Sequence, residues 1–195
     1  KAFELNDLFV TVGAGTTLAE LQAFLAERRV WTPLAAPWPE STVGGIVAAN
    51  FNAPLRMRYG AIRDLLLALT VVMPDGRVIR AGKPVVKNVA GYDLPRLHVG
   101  AQGTLGLITD VSLKLLPLPR SRETLVIPAA TLAEALTLGQ KLLRVCLVST
   151  ALLLIKGGAA GVDAPYTLLY TAEGVPEDTQ AELAEARGVL PADRA

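Results

Sequence analysis

Small residues, rather than acids, bases or nucleophiles, form the clusters in this sequence that point to chemistry. Glycines let main-chain N–H groups face a phosphate or an aromatic ring because no Cβ intervenes, and a helix that begins beside Gly44 would add its positive end. Each cluster alone is more often a turn, but together they indicate a surface for close backbone approach. The clusters are Thr42-Val43-Gly44-Gly45, Arg58-Tyr59-Gly60 with Arg63-Asp64, and Gly100-Ala101-Gln102-Gly103-Thr104-Leu105-Gly106.

Other kinds of chemistry have little support in the sequence. Nucleophilic triads and zinc sites need histidines, and His98 is the only one, between Leu97 and Val99. We expect a packed structural histidine there, with contact to a ligand as the alternative. Cys146 lies between apolar residues, and we expect a small core hydrophobe. No metal site is predicted, and no catalytic residue is assigned.

The glycine spacing also argues against a dinucleotide site of the Rossmann type. Gly100, Gly103 and Gly106 are three residues apart, whereas that fingerprint is G-x-G-x-x-G between a strand and a helix. No acidic residue follows in the required context. A Rossmann fold is therefore not expected.

Composition narrows the class of protein further. The chain has 195 residues, 51% hydrophobic and 19% charged, as is typical of globular proteins. Nineteen Lys and Arg against 18 Asp and Glu leave a net charge of +1, which disfavours nucleic acid as the main partner. The apolar stretch 142–155 is interrupted by polar residues and is too short to span a bilayer, so we expect no direct membrane insertion. The single cysteine excludes an internal disulfide and fits a reducing compartment.

The first two thirds of the chain combine strand and helix patterns. Thr17 with Glu20 is a capping box that predicts a helix start after a strand at Leu8–Val12. An apolar strand at 65–73 and a Pro-Asp-Gly turn predict a hairpin with 78–80. From Thr109 the side chains alternate, and we expect a strand with one solvent-exposed face, formed by Asp110, Ser112 and Lys114.

The last third has a plainer pattern of strands and helices. Strands are predicted at 124–127, 147–155 and 166–171, and helices begin at the caps Thr131 and Pro176. The order β-α-β-β-α matches a ferredoxin-like half that lacks its final strand. We expect 147–155 to be a buried central strand, with a poorly covered docking edge as the alternative.

One known arrangement contains all three clusters. The run Lys87–Thr109, which begins Lys-Asn-Val-Ala-Gly-Tyr-Asp-Leu, resembles the signature of FAD-dependent oxidoreductases of the vanillyl-alcohol-oxidase (PCMH) type. Within that superfamily it is more similar to the FAD-binding E subunit of bacterial glycolate oxidase than to the catalytic D subunit. The other two clusters fall in the order and spacing of that family, and the resemblance covers about residues 8–120.

The resemblance implies an FAD site on small residues, backbone donors and one cation. Pro37, together with the Thr42–Gly45 segment, would line the flavin and pyrophosphate. Residues of the second and third clusters would flank the ring or phosphates and meet the adenosine end. The implied cofactor-binding residues are Pro37, Thr42, Val43, Gly44, Gly45, Ala48, Asn50, Tyr59, Gly60, Arg63, Gly103, Thr104, Gly106 and Ile108.

The sequence departs from the family at its N-terminus. The family has a first phosphate loop several tens of residues before the strand at Leu8, and Lys1-Ala2-Phe3 resembles the residues that follow it. We therefore expect the sequence to join two pieces of a longer one. Loss of three charge-assisted hydrogen bonds costs roughly 4–9 kcal/mol, so we expect FAD to bind this chain weakly or not at all.

The predicted fold class follows from these observations. We expect an α+β protein: an FAD-binding PCMH-type domain, incomplete at its N-terminus, over residues 1–120, and a truncated ferredoxin-like cap over 121–195. The boundary is placed near Pro117-Leu118-Pro119, because prolines cannot continue a strand ladder.

The function that the resemblance implies is that of an FAD-dependent oxidoreductase subunit. We expect the FAD-binding subunit of a glycolate oxidase complex, accessory to a catalytic flavin subunit and working with an iron–sulfur subunit. It would be cytoplasmic or held at a membrane by its partners. Two alternatives remain: a stand-alone FAD-dependent D-2-hydroxyacid dehydrogenase, with Arg63, Arg96 and His98 as its candidate groups, and a scaffold subunit that has lost flavin.

Overall fold

The computed structural model describes residues 1–83 and 93–191. Within these residues short strands and helices alternate through the first two thirds, and longer elements follow. In chain order the elements are β1 Ala2–Glu4, β2 Phe9–Gly13, α1 Leu18–Ala26, β3 Val30–Trp31, α2 Val43–Ala49, α3 Arg56–Tyr59, α4 Ile62–Leu65, β4 Leu66–Val72, β5 Val78–Gly82, α5 Pro95–His98, β6 Leu107–Lys114, β7 Leu116–Pro117, β8 Ser121–Ala129, α6 Leu132–Val145, β9 Ser149–Lys156, β10 Tyr166–Gly174 and α7 Pro176–Gly188.

The chain forms two compact units. The first comprises Lys1–Ala53 and Tyr59–Leu118, and the second comprises Pro54–Arg58 together with the residues from Pro119 onwards. Each unit has a hydrophobic core of its own. The mixed helix and strand composition confirms the predicted α+β class.

The first unit is built on an antiparallel sheet with the strand order β1-β2-β6-β4-β5. Its core includes Val10 of β2, Leu21 and Leu25 of α1, Val47 of α2 and Val111 of β6. The predicted hairpin forms, with Thr70 opposite Arg80 across β4 and β5. Helices α1 and α2 thus share one core with the sheet, which fixes where their ends lie.

The second face of β6 differs from the sequence prediction. Ser112 is only 6% exposed, and its hydroxyl lies 2.8 Å from the hydroxyl of Thr11 on β2. Asp110 forms an ion pair with the Lys1 ammonium group. The prediction of a solvent-exposed face was wrong at Ser112, because β2 and β4 flank β6 and a paired hydroxyl can be buried without loss.

The capping box at the start of α1 is confirmed. The Thr17 hydroxyl accepts a hydrogen bond from the N–H of Glu20 at 3.2 Å, and the Glu20 carboxylate accepts one from the N–H of Thr17 at 2.9 Å. These bonds, first that from the backbone and then that from the hydroxyl, lower the pKa of Glu20. The helix therefore begins at the residue that the sequence indicates.

The second unit is a three-stranded antiparallel sheet with the order β8-β10-β9, packed against α6 and α7. Strand β9 pairs with β10 alone and is therefore an edge strand within the described residues. Leu153 and Leu154 are exposed, and Leu147, just before β9, is 86% exposed. The prediction of a buried central strand was wrong, because a continuous apolar run does not distinguish a central strand from an edge strand.

A buried carboxylate connects the elements of the second unit. Glu182 of α7 is 3% exposed and accepts hydrogen bonds from the N–H groups of Leu147, at 3.1 and 3.0 Å to its two oxygens, and Val148, at 3.0 Å. The hydroxyl of Tyr170 on β10 also donates to it. Burial, followed by this bond to Glu182, raises the pKa of Tyr170.

Cys146 caps the C-terminal end of α6 and is half-buried, so the prediction of a core hydrophobe was wrong. The residue lies where the helix turns towards β9, at the border of the core. In the part of the chain that the structure describes, no helix is long and apolar enough to cross a membrane.

Candidate functional site

A groove of about 360 Å³ lies in the first unit, between the turn after β2, the start of α2 and the segment before β6. Its walls consist of small or uncharged residues. The lining residues are Ala14, Gly15, Thr42, Gly44, Gly45, Ala48, Gln102, Gly103, Gly106, Leu107 and Ile108. The groove is therefore shaped by main chain more than by side chains.

Helix α2 forms one wall of the groove. Thr42 is its N-cap, and the Thr42 hydroxyl accepts a hydrogen bond from the N–H of Gly45 at 3.2 Å. Asn50 ends the helix in the left-handed conformation, at a φ of 51°. Gly44 packs on the turn after β2, where a Cβ would lie 2.5 Å from the Cβ of Ala14. Only glycine at position 44 allows this approach.

The N-terminal donors of α2 are used inside the protein. The N–H of Val43 donates to the carbonyl of Thr16 at 2.9 Å, and that of Gly44 donates to the carbonyl of Ala14 at 2.8 Å. The N–H of Gly45 goes to its own cap. The expectation that the start of α2 offers these donors to a ligand is therefore wrong, because the turn after β2 already accepts from them.

Two other glycines offer open backbone at the groove. Gly15 and Gly103 are exposed, and a Cβ added at either would meet no atom within 4 Å. Within the described residues, no protein group accepts from the N–H of Gly15 or Gly103. A Cβ at these positions would project into open space, so both glycines fit a ligand that approaches the main chain closely.

The loop that carries Gly103 is tied to the end of α2. The N–H of Gly100 donates to the carbonyl of Val47 at 3.1 Å, and the N–H of Gln102 donates to that of Ala48 at 2.9 Å. These backbone bonds hold the two walls of the groove together.

Gly106 also lines the groove. Its φ is 149°, and a Cβ there would lie 2.6 Å from the side chain of Val71.

A second, smaller groove adjoins the first and shares Thr42 and Gly45 with it. Its volume is about 220 Å³, and its other lining residues are Ala36, Pro37, Trp38, Ser41, Ile46, Ala49 and Phe51. Trp38 is 66% exposed there. This apolar groove suits a flat ring, while the first groove offers backbone donors.

The predicted site residues divide between these grooves and other places. Thr42, Gly44, Gly45, Ala48, Gly103, Gly106 and Ile108 line the larger groove, and Pro37 lines the smaller one. Val43 is buried in the core, and the Thr104 hydroxyl donates to the carbonyl of Ala101 at 2.6 Å. Asn50 ends α2 beside the larger groove. The structure therefore brings together more than half of the residues that the resemblance implied.

The predicted residues of the second cluster are engaged with the first unit itself. Tyr59 packs edge-on against Trp31, with ring centroids 5.4 Å apart. Gly60 has a φ of 83°, and a Cβ there would lie 2.9 Å from a carboxylate oxygen of Asp64. Arg63 is exposed on α4. These residues line neither groove.

Some groove residues were not predicted, and some predicted ones cannot be placed. Ala14, Gly15 and Leu107 line the larger groove although they lie outside the three clusters, and Gln102 lies in the third cluster but was not among the implied cofactor-binding residues. Gly13-Ala14-Gly15 lies at the end of β2, and its small residues are the signal in the sequence that could have pointed to the groove. In the Lys87–Thr109 run, residues 87–92 lie outside the described part of the chain.

The structure adds no acid–base cluster to the site. His98 is 6% exposed and lies on α5, as expected of a packed side chain. Among the described residues, no three His, Cys, Asp or Glu side chains are grouped so as to hold a metal ion. The geometry of the site is therefore that of a binding groove.

Comparison with protein families identifies the first part of the chain. Residues 1–82 match the family described as FAD binding domain. The match includes α2 and the turn after β2, which form two walls of the larger groove.

Curated relatives share this region at substantial identity. The mitochondrial D-lactate dehydrogenase [cytochrome] of Arabidopsis thaliana is 37% identical over 135 residues, which is 69% of this chain and 24% of the relative. Glycolate oxidase subunit GlcE of Escherichia coli is 39% identical over 121 residues, 61% of this chain and 35% of the relative. Subunit GlcD of Bacillus subtilis is 38% identical over 122 residues, 62% and 26% respectively. The chain thus spans about a quarter to a third of the length of these relatives.

The fold also matches a solved structure. Alkyldihydroxyacetonephosphate synthase superposes with a TM-score of 0.79 at 18% identity, over 96% of this chain and 39% of that one. At this identity the match shows the fold alone. The family assignment is supported by the sequence match and by the relatives named above. Residues 1–82 therefore belong to the FAD binding domain family of the PCMH type, and FAD is the cofactor of this domain.

Proposed function

We propose that this chain is the FAD-binding subunit of a glycolate oxidase complex, accessory to a catalytic flavin subunit and working with an iron–sulfur subunit. The similarity to GlcE and GlcD, both named as subunits of glycolate oxidase, supports this proposal. FAD, when bound, supplies a ring that accepts a hydride from the α-carbon of a 2-hydroxyacid.

The observation that supports the accessory role is that, among the described residues, neither groove is lined by a histidine or a carboxylate. Oxidation of a hydroxyacid needs a group that accepts the hydroxyl proton. The sole histidine, His98, is buried, and the carboxylates of Glu173 and Glu182 in the second unit are buried and engaged with protein groups. The described residues are thus equipped to hold a cofactor, whereas the proton transfer fits better on a partner.

We assign the larger groove to the phosphate-bearing part of FAD and the smaller one to a ring. The N–H groups of Gly15 and Gly103 would donate to phosphate oxygens, and the bare wall of Gly45 and Ala48 would let the cofactor lie close to α2. Trp38 would cover a ring face in the smaller groove. The assignment rests on open donors and absent side chains.

The small number of open donors implies weak binding. Two charge-assisted hydrogen bonds contribute about 3–6 kcal/mol, while micromolar affinity needs about 8 kcal/mol. The N-terminal donors of α2 cannot add to this, because they are already used. We therefore expect this chain to bind FAD with a Kd in the micromolar to millimolar range.

An FAD titration followed by quenching of flavin fluorescence tests the assignment. Gly103→Ala places a methyl group in the larger groove and should weaken FAD binding by at least fivefold. Gly76→Ala is the matched control, because Gly76 and Gly103 have φ values of 84° and 77° and open space around them, yet Gly76 lies in the β4–β5 turn. Equal Kd values for the two variants would contradict the assignment.

A second candidate function is that of a stand-alone D-2-hydroxyacid dehydrogenase. The relative that aligns over 135 residues is named as a D-lactate dehydrogenase, which favours this candidate. Anaerobic mixing of the FAD-loaded protein with D-lactate or glycolate separates the two. Bleaching of the flavin absorbance by the protein alone would favour the dehydrogenase, and bleaching only with the catalytic subunit present would favour the accessory role. If the protein bound no FAD, the remaining alternative would be a scaffold subunit that has lost flavin.

A further inference from the structure

The second unit includes a short segment from the middle of the first unit's sequence. Residues Pro54–Arg58 belong to the second unit, although the chain on both sides of them belongs to the first. Part of this segment is helical, as the start of α3. The segment contains an arginine, Arg58, that forms hydrogen bonds within the second unit.

Arg58 donates to two main-chain carbonyls of the second unit. Its Nη1 lies 2.8 Å from the carbonyl oxygen of Val148, and the same nitrogen donates to the carbonyl of Glu173. Val148 directly precedes β9, and Glu173 lies near the end of β10. The guanidinium group therefore bridges two strands at one end of the sheet.

The bridge lies where the pairing of β9 with β10 stops. The last pair of that ladder is Ser149 with Ala172, after a register shift at Thr171. Val148 and Glu173 would form the next pair, and Arg58 binds the carbonyls of both. One cationic nitrogen thus donates to both carbonyls where the ladder ends, and charge-assisted bonds of this kind are stronger than neutral ones.

The ends of the segment are closed by bonds within the first unit. The N–H of Ile62 donates to the side-chain oxygen of Asn52 at 3.1 Å, which joins the chain before the segment to the chain after it. The Asn52 amide also donates to the carbonyl of Asn50, the C-cap of α2, at 2.9 Å. Residues 52–62 therefore form a loop that carries Arg58. The hydrogen bond between Asn52 and Ile62 closes this loop and is called the neck below.

We propose that Arg58 is a clamp that completes the β9–β10 end of the second unit, and that the Asn52 neck holds it in place. The structural order of residues 147–149 and 172–174 then depends on the Arg58 side chain and on the neck. Both lie outside residues 119–191. The neck begins at the C-cap of α2, the helix that lines both grooves. This claim does not rest on the proposed function, because it concerns the chain without cofactor.

Hydrogen exchange of the full chain without FAD tests the clamp. Arg58→Met should raise the exchange of the amides at 147–149 and 172–174 at least tenfold, while amides in the middle of β8 and β10 change little. Arg58→Lys retains the charge but not the planar guanidinium group. Its exchange rates should lie between those of the unchanged protein and those of Arg58→Met. The matched control is Arg56→Met, in the same short helix and exposed, which should leave exchange unchanged.

Asn52→Ala tests the neck by a double-mutant cycle. Opening the neck should raise exchange at 147–149 by at least threefold, and it should add nothing once Arg58→Met is present, because both changes act through one clamp. Independent, multiplying effects would overturn the role of the neck. Exchange at 147–149 and 172–174 that is unchanged in Arg58→Met would overturn the clamp itself. Loss of FAD binding in any variant bears only on the proposed function.

Discussion

Gly44 and Gly15 line the same groove, yet packing within the protein requires glycine only at position 44. At Gly44 a Cβ would lie 2.5 Å from the Cβ of Ala14 and 3.0 Å from its carbonyl oxygen. At Gly15 a Cβ would meet nothing within 4 Å. Gly44 therefore lets α2 approach the turn after β2, whereas a side chain at position 15 would extend into open space.

Gly44→Ala should therefore destabilise the first unit. Overpacking of this kind costs about 1–3 kcal/mol, because the backbone of α2 must move away from the turn after β2. Chemical denaturation measured by circular dichroism gives the free energy of unfolding. Gly15→Ala is the control and should stay within about 0.5 kcal/mol of the unchanged protein. A destabilisation of the same size in both variants would show that the packing of α2 is not the cause.

The buried pair of Tyr170 and Glu182 predicts a dependence on alkaline pH. Because burial and the bond to Glu182 raise the pKa of Tyr170, the folded protein keeps the phenol protonated when the unfolded chain, with a tyrosine pKa near 10, loses that proton. The stabilisation is thus complete below about pH 10 and is lost as the pH rises further. Tyr170→Phe should cost about 1–3 kcal/mol at pH 8.

The difference between the unchanged protein and Tyr170→Phe should narrow as the pH rises above about 10. Denaturant titrations at pH 8 and pH 10.5 measure it. Tyr166→Phe, at the first residue of β10, controls for the general effect of high pH on the second unit. A difference that stays constant across this range would contradict the role assigned to the phenol.

Site residues could be predicted from the sequence where the site consists of exposed main chain. Thr42, Gly45 and Gly103 were selected because small residues expose the backbone, and the structure places them in one groove. The use of the Val43 and Gly44 donors was not predictable, because their acceptors, the carbonyls of Thr16 and Ala14, are distant in sequence. Sequence patterns show which groups are present, and tertiary contacts decide which are open.

At the scale of elements, α2 depends on its cap. Thr42→Ala removes the oxygen that accepts from the N–H of Gly45 and should destabilise the first unit by about 1 kcal/mol. Thr42→Ser keeps that oxygen and should preserve most of the stability. Thermal unfolding compares the two variants. If both lose stability equally, the methyl group of Thr42, rather than its hydroxyl, supports the helix.

Elements with local signals were predicted well, and those defined by neighbours were not. The caps Thr17 and Thr131 marked the starts of α1 and α6, and Pro176 opens α7 as expected. The position of β9 at an edge was missed, because its apolar run reads the same in either place. The hydrogen bonds from the first N–H groups of α2 to the turn after β2 could not be predicted from the local sequence either.

At the scale of the molecule, two cores predict two cooperative units. Leu113 is buried in the first core and Leu142 in the second. Each Leu→Ala change should cost about 2–5 kcal/mol in its own unit. Native-state hydrogen exchange should show Leu113→Ala lowering the protection of β2 and β4, and Leu142→Ala lowering that of β8 and β10. Loss of protection throughout the chain in either variant would indicate a single unit.

The division of the chain could be predicted only in part. The prolines near 117–119 indicated a boundary, and the second compact unit begins again at Pro119. The inclusion of residues 54–58 in that unit had no signal in the sequence, because the residues that they contact lie about a hundred positions away, as the bonds from Arg58 to Val148 and Glu173 illustrate. A linear division by sequence cannot represent a discontinuous unit.

The two tryptophans give the chain a pair of optical reporters with unequal surroundings. Trp31 is buried against Tyr59, whereas Trp38 is exposed in the smaller groove. The fluorescence of Trp31 should therefore lie at shorter wavelength than that of Trp38 and be less sensitive to collisional quenchers such as iodide. Trp38 should emit at longer wavelength and be quenched readily. A flavin seated beside Trp38 would quench the emission of that residue by direct contact. The protein thus distinguishes a loaded groove from a merely folded one through its own emission, without an added label.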